Sequence, residues 1–232
     1  MFGTLVNSGA IILGGLAGVL VGGLLTEKLR DAVLMVLGMV VMVLGVEMVI
    51  DWHDPLQVII SLVLGALVGE KIDIEAGLEA LGQRLQDFAG RWLAGDLAKG
   101  FVYATLIYCV GPMAILGSLQ SGVQGVHSIL LAKAAIDGLT AIAFASTLGV
   151  GVMFSALPVF LYQGSLTLAA VSVGGFLASV ESATPQLTAT GGILIVGLGL
   201  KILNVRQIRV ANLLPALPLS VFFAWLTAYI GG

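Results

Sequence analysis

Eight apolar runs, separated by short polar segments, take up almost the whole sequence. A helix needs about 20 apolar residues to cross the hydrocarbon core of a bilayer, and most of the runs approach that length. Only 10% of the 232 residues are charged and 59% are apolar, whereas a soluble domain carries about 25% charged residues. The sequence therefore predicts an all-α membrane protein, a polytopic bundle of transmembrane helices. The predicted spans are 4–25, 32–50, 56–69, 101–119, 128–150, 153–178, 188–203 and 210–230.

The number of spans is open between seven and eight. The third run is short for a full crossing, and the fifth and sixth runs are separated by little more than Gly149, Val150 and Gly151. No basic segment precedes the first run, and further apolar runs follow it. We therefore expect the first run to be a retained span and not a signal peptide.

The basic residues fall on one side of an eight-span arrangement. The segments 51–55, 120–127 and 179–187 contain no lysine or arginine, whereas the segments on the other side contain the following: Lys28, Arg30, Lys71, Arg84, Arg91, Lys99, Lys201, Arg206 and Arg209. The positive-inside rule then predicts that both termini lie outside the cytoplasm. A net charge of −3 without a basic patch argues against a nucleic-acid partner.

Two distant stretches resemble each other weakly. Residues 38–47 match residues 192–201 at a constant offset, and Pro55 and Pro215 each open the next span. If spans one to three repeat as spans six to eight, an odd number of crossings separates the copies, which then run in opposite directions. Inverted repeats of this kind occur in many secondary transporters, with the binding site at the midplane. The alternative is that helices rich in glycine, valine and leucine align by chance.

The predicted organisation is a single transmembrane domain over residues 1–232. It has a first repeat at 1–70, an amphipathic cytoplasmic segment at 71–99, two central spans at 100–151 and a second repeat at 152–232. The amphipathic segment carries a polar face with Glu75, Glu79, Arg84 and Asp87 and an apolar stripe formed by Ile74, Leu78, Leu81, Leu85, Phe88 and Trp92. Such a helix lies at the inner membrane surface or pairs with its copy in a dimer.

Lys133 and Asp137 form the strongest local signal for a functional site. They are four residues apart in a predicted span, so they share one face of a helix. An ionisable residue inside a membrane usually faces the bundle interior or a cavity. The functional interpretation is a site for a substrate or coupling ion, in which Asp137 carries a proton or cation and Lys133 competes for it. The alternative is a structural ion pair, or a Lys133 that reaches the membrane surface.

Gly111 and Pro112 interrupt another predicted span, followed by Ser118 and Gln120. Proline removes a backbone donor and breaks or kinks a helix, and the freed carbonyls need partners. Broken backbone is tolerated at membrane depth where it is buried in protein or lines water. The break is a candidate lining for a pathway, or a simple kink.

Polar side chains also occur in both proposed repeats. Asn7 lies in the first copy, and Ser155, Tyr162 and Gln163 lie in the second. Asn7 and Gln163 occupy nearly equivalent repeat positions, as expected if both copies face one central site. The alternative role is hydrogen bonding between helices. Gly14, Gly18 and Gly22 instead predict a close-packing face for a neighbouring helix or a second subunit.

The sequence lacks the short motifs of phosphate-binding loops, zinc hydrolases and serine hydrolases. Cys109 is the only cysteine, so neither a disulfide within the chain nor a cysteine-based metal site is expected. We expect no enzyme activity, no catalytic residues, no metal and no cofactor.

Several segments resemble the YdfK/YqgA family of bacterial inner-membrane proteins. They are residues 109–120, residues 131–138, Phe154-Ser155, Tyr162-Gln163-Gly164, residues 3–7 and residues 69–75. The resemblance covers nearly the whole chain. It implies a bacterial inner-membrane location and a domain of unknown function that is counted among candidate transporters, and it supplies no ligand residues.

Together these observations favour a transporter or channel for a small ion or polar solute. The candidate pathway residues are Lys133, Asp137, Gly111, Pro112, Ser118, Gln120, Asn7, Ser155, Tyr162 and Gln163. The expected partners are the lipid bilayer, the transported species and a second copy of the chain, with a dimer favoured. The alternative function is a non-transporting oligomeric scaffold that docks a partner through its amphipathic helix.

Overall fold

The computed structural model describes residues 1–50, 52, 54–89, 97–172 and 182–231. All regular structure in these ranges is helical, which confirms the all-α membrane class. The helices are α1 (Phe2–Gly22), α2 (Glu27–Ile50), α3 (Pro55–Ile72), α4 (Ile74–Ala89), α5 (Leu97–Val110), α6 (Pro112–Val123), α7 (Ser128–Leu148), α8 (Gly151–Phe154), α9 (Ala156–Ser172), α10 (Thr184–Ile202) and α11 (Ala216–Gly231), with a 3₁₀ helix at Val210–Leu213.

Seven candidate spans are long and apolar enough to cross a membrane in the described part of the chain, or eight if the bent pair α5 and α6 counts as one. These two helices meet at Gly111 and Pro112 with a bend of 61°, so the predicted break is present. α5 begins beside Gly151, just past the end of α7, and α6 packs through Gly117 against Leu130, near the start of α7. The bent pair therefore runs the length of α7 in the opposite direction, as a single broken crossing does.

Local chemistry explains several helix ends. The Asp54 carboxylate accepts hydrogen bonds from the backbone N–H groups of Leu56 and Gln57 at 3.1 and 3.2 Å, and Pro55 takes the first position of α3, where its missing N–H is no loss. α3 thus spans Pro55–Ile72 and is longer than the run at 56–69 suggested. At the end of α1, the Arg30 guanidinium donates to the Gly22 carbonyl at 2.6 Å, which satisfies a helix carbonyl that has no partner within α1.

Glycines allow α1 to lie against α7 at very short range. A β-carbon at Gly14 would meet the Gly138 carbonyl oxygen at 2.1 Å, and one at Gly18 would meet the Ile142 carbonyl oxygen at 2.4 Å. The contacting residue numbers rise together along the two helices, so α1 and α7 are parallel. The predicted glycine face therefore packs against a helix of the same chain.

Two antiparallel pairs complete the frame. In α2 and α10, Gly45 contacts Gly192 and Gly38 contacts Gly199. In α3, Gly65 contacts Ala216 at the start of α11, while Gly69 contacts the backbone of Asn212 in the preceding 3₁₀ helix. Each pair brings a helix from the first third of the chain against one from the last quarter.

The amphipathic segment forms α4, whose apolar side covers the core of its own chain. Ile74, Leu78 and Leu85 pack against buried residues, and Gly82 lies against Ala98 and Phe101 of α5. Two residues were assigned to the wrong side by the sequence pattern. Leu81, assigned to the apolar stripe, is 41% exposed. Glu75, assigned to the polar face, is buried, because the loop after α10 covers that side of the helix. Trp92 lies outside the described residues.

Large apolar side chains cover the outer faces of α1, α2 and α3. Leu20, Val43 and Leu67 are each more than 60% exposed, and no charged residue interrupts these faces over several turns. Continuous apolar surface of this extent suits lipid. The structure therefore supports an integral membrane protein.

Candidate functional site

The buried pair of Lys133 and Asp137 lies at the centre of the bundle. The Lys133 ammonium is 2.5 Å from Asp137 Oδ2, and both side chains are 6% exposed. Asp137 lies halfway along α7, and Lys133 lies one turn nearer its start. Two charges are removed from water here, and their attraction offsets the desolvation cost only if further hydrogen bonds complete the arrangement.

Asn7 and Gln163 provide those further bonds from two other helices. The Asn7 side-chain amide donates to Asp137 Oδ2 at 3.0 Å and to Gln163 Oε1 at 3.2 Å. Both amide side chains are fully buried. Four of the predicted pathway residues, drawn from α1, α7 and α9, thus form one connected group, which we call the central cluster: Asn7, Lys133, Asp137 and Gln163.

The local backbone explains why the three helices meet here. Gly138 follows Asp137 directly, and its missing side chain leaves room for Ala10 of α1. Gly14 lies one turn further along α1 and contacts Gly138 backbone to backbone. This approach of α1 to α7 brings the short Asn7 side chain within hydrogen-bond distance of Asp137.

The central cluster retains unused hydrogen-bonding capacity. Among its buried atoms, Asn7 Oδ1 and Gln163 Nε2 have no hydrogen-bond partner. The hydroxyls of Thr4 and Ser8, on the same face of α1 as Asn7, are also buried without a partner. A buried polar atom without a partner costs about 1–3 kcal/mol. The central cluster therefore contains both an acceptor and a donor that no side chain of the described residues satisfies.

α5 forms the wall of the site on the Lys133 side. The Lys133 ammonium is 5.8 Å from the centroid of the Tyr108 ring, a distance at which an aromatic face attracts a cation. Tyr108 is fully buried and was not among the predicted residues. The available signal was the position of Tyr108 two residues before the end of α5, where Gly111 and Pro112 break the helix.

The other predicted pathway residues lie outside the central cluster. The hydroxyls of Ser118 and Ser155 donate to carbonyls of their own helical segments, Ala114 and Val152, each at 2.6 Å. Tyr162 faces an apolar groove between α6, α9 and α11. Gln120 has a buried side-chain oxygen without a partner. Gly111 and Pro112 form the junction of α5 and α6, which lies against α10 through Val110 and Gly191.

A second buried ion pair was missed by the sequence analysis. Lys201, at the end of α10, contacts the carboxylate of Glu75 in the first turn of α4, and their side chains are 10% and 4% exposed. The Lys201 ammonium is also 5.8 Å from the Tyr103 ring of α5. The two residues are 126 positions apart, so no local pattern could pair them. Lys201 was counted only as a basic residue on the cytoplasmic side.

Comparisons with known proteins identify relatives along nearly the whole chain. Residues 2–225 match the model of a protein family described as "Protein of unknown function (DUF554)". The chain is 32% identical to the "Uncharacterized membrane protein YdfK" of Bacillus subtilis (strain 168), over 96% of each chain. It is 29% identical to the "Uncharacterized protein YqgA" of Escherichia coli (strain K12), over 95% of each. No solved structure is significantly similar to the chain. The chain therefore belongs to the DUF554 family of proteins of unknown function.

Proposed function

We propose that this protein is a membrane transporter or channel for a small ion or polar solute, with its binding site at the central cluster. The observation that carries the proposal is the buried group in which Lys133 and Asn7 both donate to Asp137 and Asn7 also donates to Gln163. A purely structural ion pair does not need two fully buried amides that leave an acceptor and a donor unused. Ionisable residues inside membranes are commonly parts of ion and substrate pathways.

The proposal includes an inverted repeat, with spans one to three as one copy and spans six to eight as the other. The glycines aligned by the sequence offset support it, because Gly38 contacts Gly199 and Gly45 contacts Gly192. A twofold axis in the membrane plane that exchanges α2 with α10 converts one of these contacts into the other. The same axis exchanges α1 with α9, which supply Asn7 and Gln163 to the site, as expected for binding between two copies.

We further propose a bacterial inner-membrane location with both termini outside the cytoplasm. The support is that lysine and arginine are concentrated in and beside the segments between α1 and α2, between α3 and α5, and between α10 and α11. α4 then lies on the cytoplasmic side. This orientation makes Glu75 and Lys201 the inner of the two buried pairs.

In the proposed mechanism, the Asp137 carboxylate exchanges one positively charged partner for another. Asp137 carries the transported cation or proton, and Lys133 replaces that cation when the site empties. Asn7 holds the carboxylate in either state, since its amide donates to Asp137 Oδ2, the oxygen that Lys133 also contacts. The protein is proposed to work without a metal, a cofactor or a catalytic step.

The test is ion and proton flux into liposomes containing the purified protein, measured for several salts and pH values. Lys133→Ala and Asp137→Asn are each expected to lower flux at least tenfold. Glu47→Gln is the matched control, because it also converts a carboxylate to an amide within a span, yet Glu47 is exposed. Unchanged flux and unchanged pH dependence in Asp137→Asn would refute the proposed role of the cluster.

A non-transporting scaffold is the second candidate function. One observation favours it: Lys133 and Asp137 are bonded to each other, and four cavities lined by described residues lie elsewhere. Against it, the apolar stripe of α4 is already packed on its own chain. No flux for any ion or polar solute tested would favour the scaffold. We also propose a homodimer, to be checked by light scattering of the purified protein.

A further inference from the structure

A polar cavity of about 440 Å³ lies between α4, α5 and the segment after α10. Its charged and polar lining consists of Glu79, Gln83, Lys99, Tyr103, Lys201 and Gln207. A second cavity of about 210 Å³ shares Glu79, Lys201 and Gln207 with the first and is also lined by Glu75. The buried pair of Glu75 and Lys201 thus lies at the junction of two polar cavities.

The carboxylate of this pair is held in place by backbone. Glu75 Oε2 accepts a hydrogen bond from the Ala211 N–H at 2.7 Å. The Glu75 N–H in turn donates to Asn212 Oδ1 at 2.7 Å. Both partners belong to the 3₁₀ helix at Val210–Leu213, which itself packs against Gly69 of α3. Moving the carboxylate would therefore require moving the first turn of α4.

The ammonium of the pair contacts two side chains, those of Glu75 and Tyr103. Lysine carries its charge on a flexible four-carbon stem, and Lys201 lies next to the last residue of α10. A fixed acceptor with a movable cationic partner is suited to exchange of cations.

α5 connects this pair to the central cluster. Tyr103 lies against Lys201 and Tyr108 lies against Lys133, each with the ammonium 5.8 Å from the ring centroid. Five residues of helix separate the two rings, which corresponds to about 7.5 Å along the axis. Between them, the Thr105 hydroxyl is buried without a hydrogen-bond partner.

We propose that Glu75 and Lys201 form a second cation-exchange site, which binds a small monovalent cation such as Na⁺ or K⁺ at the Glu75 carboxylate when the Lys201 ammonium moves away. The cavities on either side admit the ion from the cytoplasmic end. The place of this site on a transport pathway rests on the proposed function, whereas cation binding at Glu75 does not.

The test measures the thermal stability of purified full-length protein in NaCl, KCl or choline chloride at equal ionic strength. Lys201→Met leaves the Glu75 carboxylate without this ammonium, so an added small cation is expected to take its place. Binding to the folded state alone raises the unfolding midpoint. We expect a rise of about 5 °C or more in NaCl or KCl relative to choline chloride at saturation. The double variant Glu75→Gln, Lys201→Met is expected to lose the difference.

Lys28→Met is the matched control, because it also removes a lysine charge, but Lys28 is exposed at the start of α2 and lines neither cavity. It is expected to show no preference for Na⁺ or K⁺ over choline. Lys201→Gln provides the same test if Lys201→Met does not fold. The proposal is overturned if neither ion stabilises the Lys201 variant more than choline does, or if the stabilisation survives Glu75→Gln.

The outcomes also separate the two proposals. Cation-specific stabilisation of Lys201→Met in a protein that passes no ion would uphold the binding site and remove the transport function. Ion flux in the wild type, without cation-specific stabilisation of Lys201→Met, would uphold transport and remove the second site.

Discussion

Two glycine-to-alanine changes in α1 are expected to alter stability in opposite directions. A β-carbon at Gly14 would lie 2.1 Å from the Gly138 carbonyl oxygen, whereas an ordinary contact begins at 3.4 Å. The backbones of α1 and α7 would have to separate locally by about 1.3 Å, the difference between these distances. A β-carbon at Gly9 in the same helix meets nothing within 4 Å.

Overpacking costs about 1–3 kcal/mol, and backbone cannot rotate out of the way as a side chain can. Alanine also favours the helical state over glycine by about 0.5–1 kcal/mol. We therefore expect Gly14→Ala to lower the free energy of unfolding by about 1 kcal/mol, the overpacking cost less the helix gain, and Gly9→Ala to raise it by about 0.5–1 kcal/mol. Denaturant unfolding of both variants in the same detergent provides the comparison.

Gly14→Ala should also disturb the central cluster, because α1 would push Gly138 away and Gly138 directly follows Asp137. A Gly14→Ala protein is therefore expected to lose ion flux together with stability, whereas Gly9→Ala keeps flux. If Gly14→Ala were as stable as Gly9→Ala, the close contact of α1 and α7 would be wrong, and with it the geometry that brings Asn7 to Asp137.

Two further stability predictions concern the buried polar groups. Lys133→Ala leaves the Asp137 carboxylate buried without its ammonium, so it is expected to cost about 3–5 kcal/mol; Arg209→Ala breaks exposed pairs and is expected to cost less than about 1 kcal/mol. Equal losses in denaturant unfolding would contradict the burial of the central pair. Asn7→Ala removes bonds to two other helices and is expected to cost about 1–3 kcal/mol. Ser118→Ala removes only a bond to its own helix and should stay within about 0.5 kcal/mol, so the reverse order would contradict the central role of Asn7.

Much of the central cluster could be predicted because its charges lie within one helix. Lys133 and Asp137 are four residues apart, and helical geometry alone puts such residues on the same face. Asn7 and Gln163 were predicted through a weak repeat, and the bonds of Asn7 to Asp137 and to Gln163 became visible only when three helices were packed together. Ser118, Ser155 and Tyr162 were chosen by the same reasoning about polar groups in apolar runs. Their hydroxyls or rings turn to their own helices or to the outer groove, because rotation about each helix axis depends on packing.

The sequence by itself determined the membrane class, the helices and the break at Pro112. These follow from local chemistry: the length of each apolar run, the missing N–H of proline and the residues that cap helix ends. Only the tertiary structure decided which helices are neighbours, and therefore that Glu75 is buried against Lys201 instead of facing water. The physical reason is that amphipathicity describes one helix at a time. Which segment covers the polar side of α4 depends on contacts of glycines with residues more than a hundred positions away.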